Sequence, residues 1–407
     1  MHPHKARDIV LKALHKTART PSYVGSLCLT DHHGQRHLFE GQGSPQQKQQ
    51  STPKAHMHIH ELSVLTRFLM EGQNALIDDY QHGLWDSDNL LQLVEWVLRN
   101  HDIIRPNILK HIAPILWGKM LYRLSSSRDK NNTRRTDTIP PMGNDFYALW
   151  LDKGMSYSCA LFDDAHESLE QAQNNKYRHI LEFFGDKPLR LLDIGSGWGS
   201  FALHAIRHAQ HHVTAVTIGQ EEHAYAKKRL TAYPDHATLR LQDYQDIDGC
   251  FDGIVSIEMC QYVRETHWNH YFRKIRELLT PEGIAFIQSF AFIHKEDMNR
   301  YHKNIGPLRL SAHPESVVPR IPYPATFLRQ AQQEGLVARH VMHHGTQYGR
   351  TIQAWLQRFD AAYSSLQQMG YPDHFIRLWY LYLASWGASF CAERSDVIQV
   401  VLTRHKA

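Results

Sequence analysis

Three glycines at alternate positions lie in the run Leu191-Leu-Asp-Ile-Gly-Ser-Gly-Trp-Gly199, which reads as a strand end, a tight turn and a helix start. Glycine lets the chain turn sharply and lets a ligand approach backbone atoms with no Cβ in the way. The spacing of Gly195, Gly197 and Gly199 is G-x-G-x-G. A dinucleotide fingerprint needs G-x-G-x-x-G, and here Ser200 stands at its third glycine. No P-loop lysine follows. The turn therefore suits a cofactor without a pyrophosphate better than a nicotinamide dinucleotide. Carboxylates recur at the later strand ends. Glu221 and Glu222 follow Thr217, where a carboxylate can accept hydrogen bonds from ribose hydroxyls. Asp243, beside Tyr244, can accept one from an adenine amino group, and Glu258–Met259 ends a fourth strand. The plainer reading makes Asp243 a turn residue and places Glu222 and Glu258 in the first turns of helices. Four such features at successive strand ends favour a cofactor site.

The elements that position these residues follow from apolar runs alternating with longer mixed segments. Strands are expected at Leu189–Ile194, His212–Ile218, Thr238–Leu241, Gly253–Ile257 and Ile284–Phe290, giving a parallel sheet wrapped by helices. Two late runs, Leu336–Met342 and Val397–Leu402, read as strands added after an inserted segment. In an open α/β sheet the ligand sits at the carboxyl ends of the strands, where the glycine turn and the carboxylates fall. Upstream, Leu65, Phe68, Leu69, Leu76, Leu90, Leu91, Val94, Val97 and Leu98 recur at helical spacing. Two polar stretches, Gly41–Lys54 and Ser125–Pro141, have no apolar period and read as loops. The division expected is a mainly helical module over 1–124, a linker over 125–141, and an α/β domain over 142–407 carrying an inserted segment.

Composition narrows the class. The chain has 407 residues with 42% hydrophobic and 21% charged, enough apolar residues for a sizeable core. A net charge of +4 is too small to argue for nucleic acid, and it suits an anionic membrane surface. The five cysteines, Cys28, Cys159, Cys250, Cys260 and Cys391, include no CxxC pair, which speaks against a disulfide framework and for a reducing cytosol. The 30 histidines show no paired spacing such as HExxH, so no metal site is expected. Met1–Arg19 is basic and lacks the apolar core of a signal peptide. The longest stretch without a charge, between Arg377 and Glu393, is shorter than the roughly 20 residues a membrane span needs. A soluble protein is expected.

Several segments together resemble the S-adenosylmethionine-dependent cyclopropane fatty acid synthases, including the mycolic acid cyclopropane enzymes. They are Met155-Ser-Tyr-Ser-Cys-Ala160, Leu169–Gln173 with Lys176, Leu191–Gly199, Val216–Ile218, Asp243–Asp246, Phe251–Met259, Leu279–Gly283, Tyr348–Trp355 and Phe375–Phe390, with Phe68–Asn100 more loosely similar. Met155–Cys159 is more specific to the family than the glycine turn. The resemblance implies a Rossmann-like class I methyltransferase domain with a smaller N-terminal helical module, and S-adenosyl-L-methionine as cofactor. It implies that Tyr157 and Ser158 close over the cofactor, and that Asp193, Gly195, Gly197, Trp198 and Gly199 belong to the turn under its methionine part. Thr217 matches the end of the second strand, Glu222 the ribose acceptor (a glutamine in the family), and Asp243 and Tyr244 the surroundings of the adenine. Cys159 and Tyr348 match positions lining a bicarbonate pocket. Gln261 stands where the family has a pocket glutamate and Gln288 where it has a histidine, so both depart from the pattern.

The resemblance further implies methyl transfer to the double bond of an unsaturated acyl chain in membrane phospholipid, giving a cyclopropane or a methyl-branched product. The protein would work in the cytoplasm as a peripheral enzyme at the inner membrane face, without nucleic acid, and as a homodimer. Bicarbonate would act as the base, unless Gln261 and Gln288 have abolished its site. A basic amphipathic helix over Met1–Arg19 would either meet the lipid interface or dock on its own domain. The stripe Trp379, Leu383, Trp386 and Phe390 would form core or line an acyl tunnel. Two other readings keep less of the family: the same cofactor with a different lipid or small-molecule acceptor, and a non-catalytic lipid- or cofactor-binding protein.

Overall fold

A computed structural model of the chain describes residues 2–41, 53–123, 140–297 and 322–405, with the backbone alone over 109–123. Most of both polar stretches, and 298–321 of the expected insert, fall outside the described residues. The chain forms two compact units, 1–140 with 363–392, and 141–362 with 393–407.

The first unit opens with helix α1 (Pro3–Ala18) and continues through strands β1 (Ser26–Thr30), β2 (Arg36–Glu40) and β3 (Lys54–Ile59). Helices α2 (Ser63–Glu71) and α3 (Gln73–Gln81), the short strand β4 (Trp85–Asp86) and the long helix α4 (Leu90–Arg123) follow. The strands form one small sheet in the order β2-β1-β3-β4, which the sequence reading did not expect, within a unit whose residues are mostly helical. Leu27 and Leu29 of β1 point inward between more exposed neighbours, the period-2 alternation of a strand buried on one face. Helix α1 buries Ala6, Val10, Ala13 and Leu14 and leaves Lys5, Lys12, Lys16 and Arg19 exposed. Its apolar face packs on its own unit and is not free to enter a bilayer.

The second unit begins with α5 (Asn144–Ala148) and α6 (Leu169–Glu182), the latter started by a capping box in which Ser168 and Gln171 satisfy each other's backbone N–H groups. The core alternation then runs β5 (Arg190–Ile194), α7 (Ser200–Ala209), β6 (His212–Thr217), α8 (Gln220–Leu230), β7 (Ala237–Leu241), β8 (Phe251–Ile257), α9 (Trp268–Leu278) and β9 (Leu279–Phe292). After the undescribed stretch come α10 (Pro324–Gln333), β10 (Leu336–His343) and α11 (Gly345–Ala361). The chain then returns to the first unit for α12 (Tyr363–Gln368) and α13 (Asp373–Cys391), and re-enters the second as β11 (Ser395–Arg404).

The seven strands lie in the order β10-β11-β9-β8-β5-β6-β7. The five strands expected from the sequence are all present and mutually parallel, while β11 runs antiparallel to both of its neighbours. From β5 the sheet grows outward to β6 and β7 in one direction and to β8 and β9 in the other. The direction of winding thus reverses at β5, and a crevice opens at its carboxyl end, where such folds bind ligands.

Assigning 142–407 to one domain misplaces α13. Its Arg377 donates to the Tyr80 and Trp85 carbonyls and to Asp86 Oδ1 at 2.6–3.1 Å, and its guanidinium lies over the Tyr80 ring at 4.2 Å, all within the first unit. Trp379, Leu383 and Phe390 are buried there and Trp386 is half-buried, so that stripe is core of the first unit. Among the described residues no helix is long and apolar enough to cross a membrane.

Candidate active site

Strand β5 delivers Asp193 and then the glycine turn to the crevice. Gly195, Gly197 and Gly199 have φ of +78°, +50° and +79°, a region open to glycine and costly for other residues. At Gly195 a Cβ would lie 2.5 Å from Met259 Cγ, so the turn needs glycine for space as well as for its dihedrals. The Gly195 and Ser196 N–H groups donate to the Val216 carbonyl of β6, pinning the turn to the sheet. Trp198 is buried and its indole N–H donates to Asn144 Oδ1 at 2.6 Å.

The turn keeps polar groups without partners. Asp193 is buried, and among the described residues its Oδ2 and the Ser196 hydroxyl have no hydrogen-bond partner. Burial pushes the Asp193 carboxyl up to about 7, against the opposing pull of Lys176. A buried carboxylate with an open acceptor and a neighbouring open hydroxyl fits a ligand that brings a positive charge and hydrogen-bond donors. The methionine part of S-adenosylmethionine has both, so these residues fit that cofactor.

The outer strand ends match this use in part. Thr217 closes β6, and its hydroxyl accepts from the Gly219 N–H at 3.2 Å. The Glu222 carboxylate folds back over Gly219 so closely that a Cβ there would clash with Oε2. It lines a surface hollow with Trp198, Tyr147 and Met142. Beside it, Ile218 is 76% exposed, an apolar side chain at the rim that sequence reading did not single out. Asp243 Oδ1 accepts from the Gln245 N–H, so this residue does serve as a turn cap. Tyr244 is half-buried with its ring edge-on to Tyr271, and burial lifts its hydroxyl to about 12.

The Tyr157–Cys159 segment is held from beneath by α6. Gln173 Nε2 donates to the Ser158 carbonyl at 2.9 Å, Lys176 Nζ to Ser158 Oγ at 2.6 Å, and Tyr177 Oη to Ser156 Oγ at 2.8 Å. Asp152 accepts from the Gly154 and Ser156 N–H groups, both at 2.7 Å, folding the loop before it. Lys176 is fully buried, and desolvation draws its ammonium down to about 8, against Glu258, Asp152 and Asp193. Tyr157 stands in a cluster of rings, 5.3 Å from Trp355, 5.4 Å from Trp150 and 5.7 Å from Tyr147, and Trp355 is 5.8 Å from Tyr348. Trp150, Trp355 and Tyr348 of this aromatic wall are fully buried.

Cys159, Gln288 and Tyr348 converge on a residue that the sequence marked only as a strand end. Glu258 Oε1 accepts from the Cys159 backbone N–H and from Gln288 Nε2, both at 2.8 Å, and Oε2 accepts from the Tyr348 hydroxyl at 2.8 Å. Gln288 Oε1 in turn accepts from Gln399 Nε2 of β11 at 2.8 Å. Glu258 is 6% exposed and has φ +55°, a strained value for a residue with a Cβ. It does not open an α-helix; a short 3-10 turn, Cys260–Tyr262, follows it. Burial raises its carboxyl above the ordinary range, opposed by its three donors and by Lys176. Burial likewise raises the Cys159 thiol well above its usual value, so this sulfur is no thiolate nucleophile. Gln261 is buried on the 3-10 turn, and among the described residues its Oε1 has no hydrogen-bond partner. No cluster of three or more metal-ligating side chains occurs among the described residues.

Comparison with known proteins bears on the family and the fold. Residues 128–400 match the family model described as mycolic acid cyclopropane synthetase. The cyclopropane-fatty-acyl-phospholipid synthase of Escherichia coli strain K12 is 30% identical over 353 residues, 86% of this chain and 88% of that one. A tuberculostearic acid methyltransferase of Mycobacterium tuberculosis is 29% identical over 362 residues, 86% of this chain and 83% of that one. Among solved structures, the cyclopropane synthase MmaA2 from Mycobacterium tuberculosis superposes with a TM-score of 0.60 at 22% identity, covering 66% of this chain and 100% of that one. That last likeness is one of fold.

Proposed function

The chain belongs to the mycolic acid cyclopropane synthetase family and is an S-adenosylmethionine-dependent methyltransferase acting on lipid, and we propose that its acceptor is the double bond of an unsaturated acyl chain in a membrane phospholipid. The product is a cyclopropane or a methyl-branched chain. When bound, the cofactor supplies a methyl group electrophilic enough to be taken by an unactivated alkene. The protein's contribution is alignment in a water-poor pocket and management of the positive charge left on the acyl chain.

The observation that carries this reading is the aromatic wall of Tyr157, Trp355 and Tyr348, which ends on a buried carboxylate. A carbocation facing aromatic π surfaces gains about 0.5–2 kcal/mol from each well-placed ring. Methyl transfer to an oxygen or nitrogen acceptor leaves no carbocation for such a surface to stabilise. Gly195 lets the cofactor's reacting end approach the backbone, and Asp193 balances its charge. For access to lipid, the exposed Lys5, Lys12, Lys16 and Arg19 of α1 suit transient contact with an anionic bilayer face, each worth about 1 kcal/mol near the surface.

The test is incubation of the full chain with methyl-labelled cofactor and vesicles of monounsaturated phospholipid, followed by mass spectrometry of the acyl chains. Each modified chain gains one CH₂ unit, and NMR distinguishes ring from branch. Label that stays out of lipid, with cofactor binding confirmed by calorimetry, overturns the proposed acceptor.

A further inference from the structure

Resting on the acyl-methylation reading above, we propose that Glu258 is the base of the reaction: its carboxylate removes a proton from the newly transferred methyl group and makes a bound bicarbonate unnecessary. The argument begins with hydrogen-bond accounting. A carboxylate offers about four acceptor sites. The Cys159 N–H and Gln288 amide fill Oε1, and the Tyr348 hydroxyl fills half of Oε2, leaving one lone pair of Oε2 open among the described residues. The donors expected to hold a bicarbonate anion are thus already engaged by an anion belonging to the chain. A bicarbonate there would have to displace the carboxylate from these donors.

Position points the same way. Glu258 directly follows β8 and precedes Met259, whose side chain lies against Gly195, so the backbone that carries the carboxylate borders the glycine turn. The positive φ turns the residue toward the aromatic wall and is held there by contacts from three separate segments. Gln288 and Gln261 are then understandable as neutral neighbours. A histidine cation or a second glutamate in their places would either neutralise Glu258 or hold it protonated.

The chemistry balances. Methyl transfer breaks the C–S bond and forms a C–C bond, leaving the other alkene carbon cationic. The methyl C–H bond then breaks, and its electron pair closes the ring onto that carbon, so this step gives the cyclopropane. A methyl branch forms only if a chain proton is lost instead, and it keeps all three methyl hydrogens. The proton goes to Glu258, which becomes a neutral acid until it loses the proton to solvent. A proton next to a carbocation is strongly acidic, so a carboxylate is a sufficient base.

The test uses the full chain, trideuteromethyl cofactor and monounsaturated phospholipid vesicles in buffer freed of carbon dioxide. The wild type is expected to work at the same rate with or without added bicarbonate and to leave two deuteriums in each product chain. Calorimetric titration of bicarbonate alone into the wild type is expected to show no binding. Glu258→Gln keeps the shape of the residue. It is expected to lower formation of two-deuterium product at least about 100-fold, the range of general base catalysis, with cofactor affinity within about threefold of wild type as evidence that it is folded. Glu258→Ala is expected to bind bicarbonate and to regain two-deuterium product when it is added. Lipid labelling by the wild type that depends on bicarbonate, or three deuteriums retained in its product, overturns the assignment of Glu258 alone. No labelled lipid at all overturns the acyl-methylation reading, and this proposal falls with it.

Discussion

Removing the hydroxyl of Tyr348 tests the buried carboxylate network by thermodynamics, apart from turnover. In Tyr348→Phe, Glu258 Oε2 loses its 2.8 Å donor while the ring remains against Trp355. A hydrogen bond to a charged group contributes about 1.5–3 kcal/mol, and one between neutral groups about 0.5–1.5 kcal/mol. The loss therefore depends on the protonation of Glu258. Its carboxyl is raised by burial in the folded protein, so it is protonated at low pH and becomes a buried anion as pH rises through its folded value. A raised carboxyl contributes stability below its unfolded value that disappears as pH rises through the folded one. The variant, with one donor fewer, has its carboxyl raised further and loses more over the same interval. Urea unfolding should show a destabilisation of about 1 kcal/mol in acid, growing to about 2–3 kcal/mol as the pH is raised and Glu258 ionises. A destabilisation independent of pH, or below about 0.5 kcal/mol at the alkaline end of the series, would refute the idea that Tyr348 serves an ionised Glu258.

Cofactor affinity by calorimetry should rise as pH increases through about 7, where Asp193 ionises, with proton release on binding; Asp193→Asn should flatten that slope and weaken binding about tenfold near pH 8. A preserved slope would show that another group titrates. Gly195→Ala places a Cβ against Met259 at φ +78°; about 1–2 kcal/mol of backbone strain plus about 1–3 kcal/mol of crowding predict a lower unfolding midpoint and a cofactor affinity at least tenfold weaker. Glu222→Gln should weaken cofactor binding by roughly tenfold with little change in stability, a charged acceptor being about 1.4 kcal/mol better than a neutral one for ribose hydroxyls. Equal affinities for the variant and the wild type would remove Glu222 from the ribose site.

The strand–helix alternation from Leu189 onward was legible because the central parallel strands are buried on both faces and appear as short apolar runs, such as Leu191–Ile194. The glycine turn was legible because positive φ and close approach leave few alternatives to glycine. The N-terminal sheet was not, since its strands are only two to six residues long and β3 mixes Ala55 and Ile59 with His56 and His58, a weak alternation beside strong helical periods. Glu258 was visible only as an acidic residue at a strand end. Its partners Cys159 and Tyr348 lie 99 and 90 residues away along the chain, and no local pattern shows that they meet. Gln261 and Gln288 suggested a site that had lost its charge. The carboxylate is nevertheless there, supplied by a neighbouring position.

The path of the polypeptide has a consequence for biogenesis. Arg377 and Trp379 complete the interior of the first unit, yet they are synthesised after nearly all of the second. While the nascent chain elongates, α3 and α4 must wait, with apolar surface uncovered, until the ribosome has passed Ala392. Strand β11 is inserted between β9 and β10 after that, so the sheet is completed by a segment that follows all of its other strands along the chain. A stop codon just before Tyr363 would leave two incomplete bodies and no intact fragment; separate expression of the first unit would need α12 and α13 grafted back, and of the second would need β11.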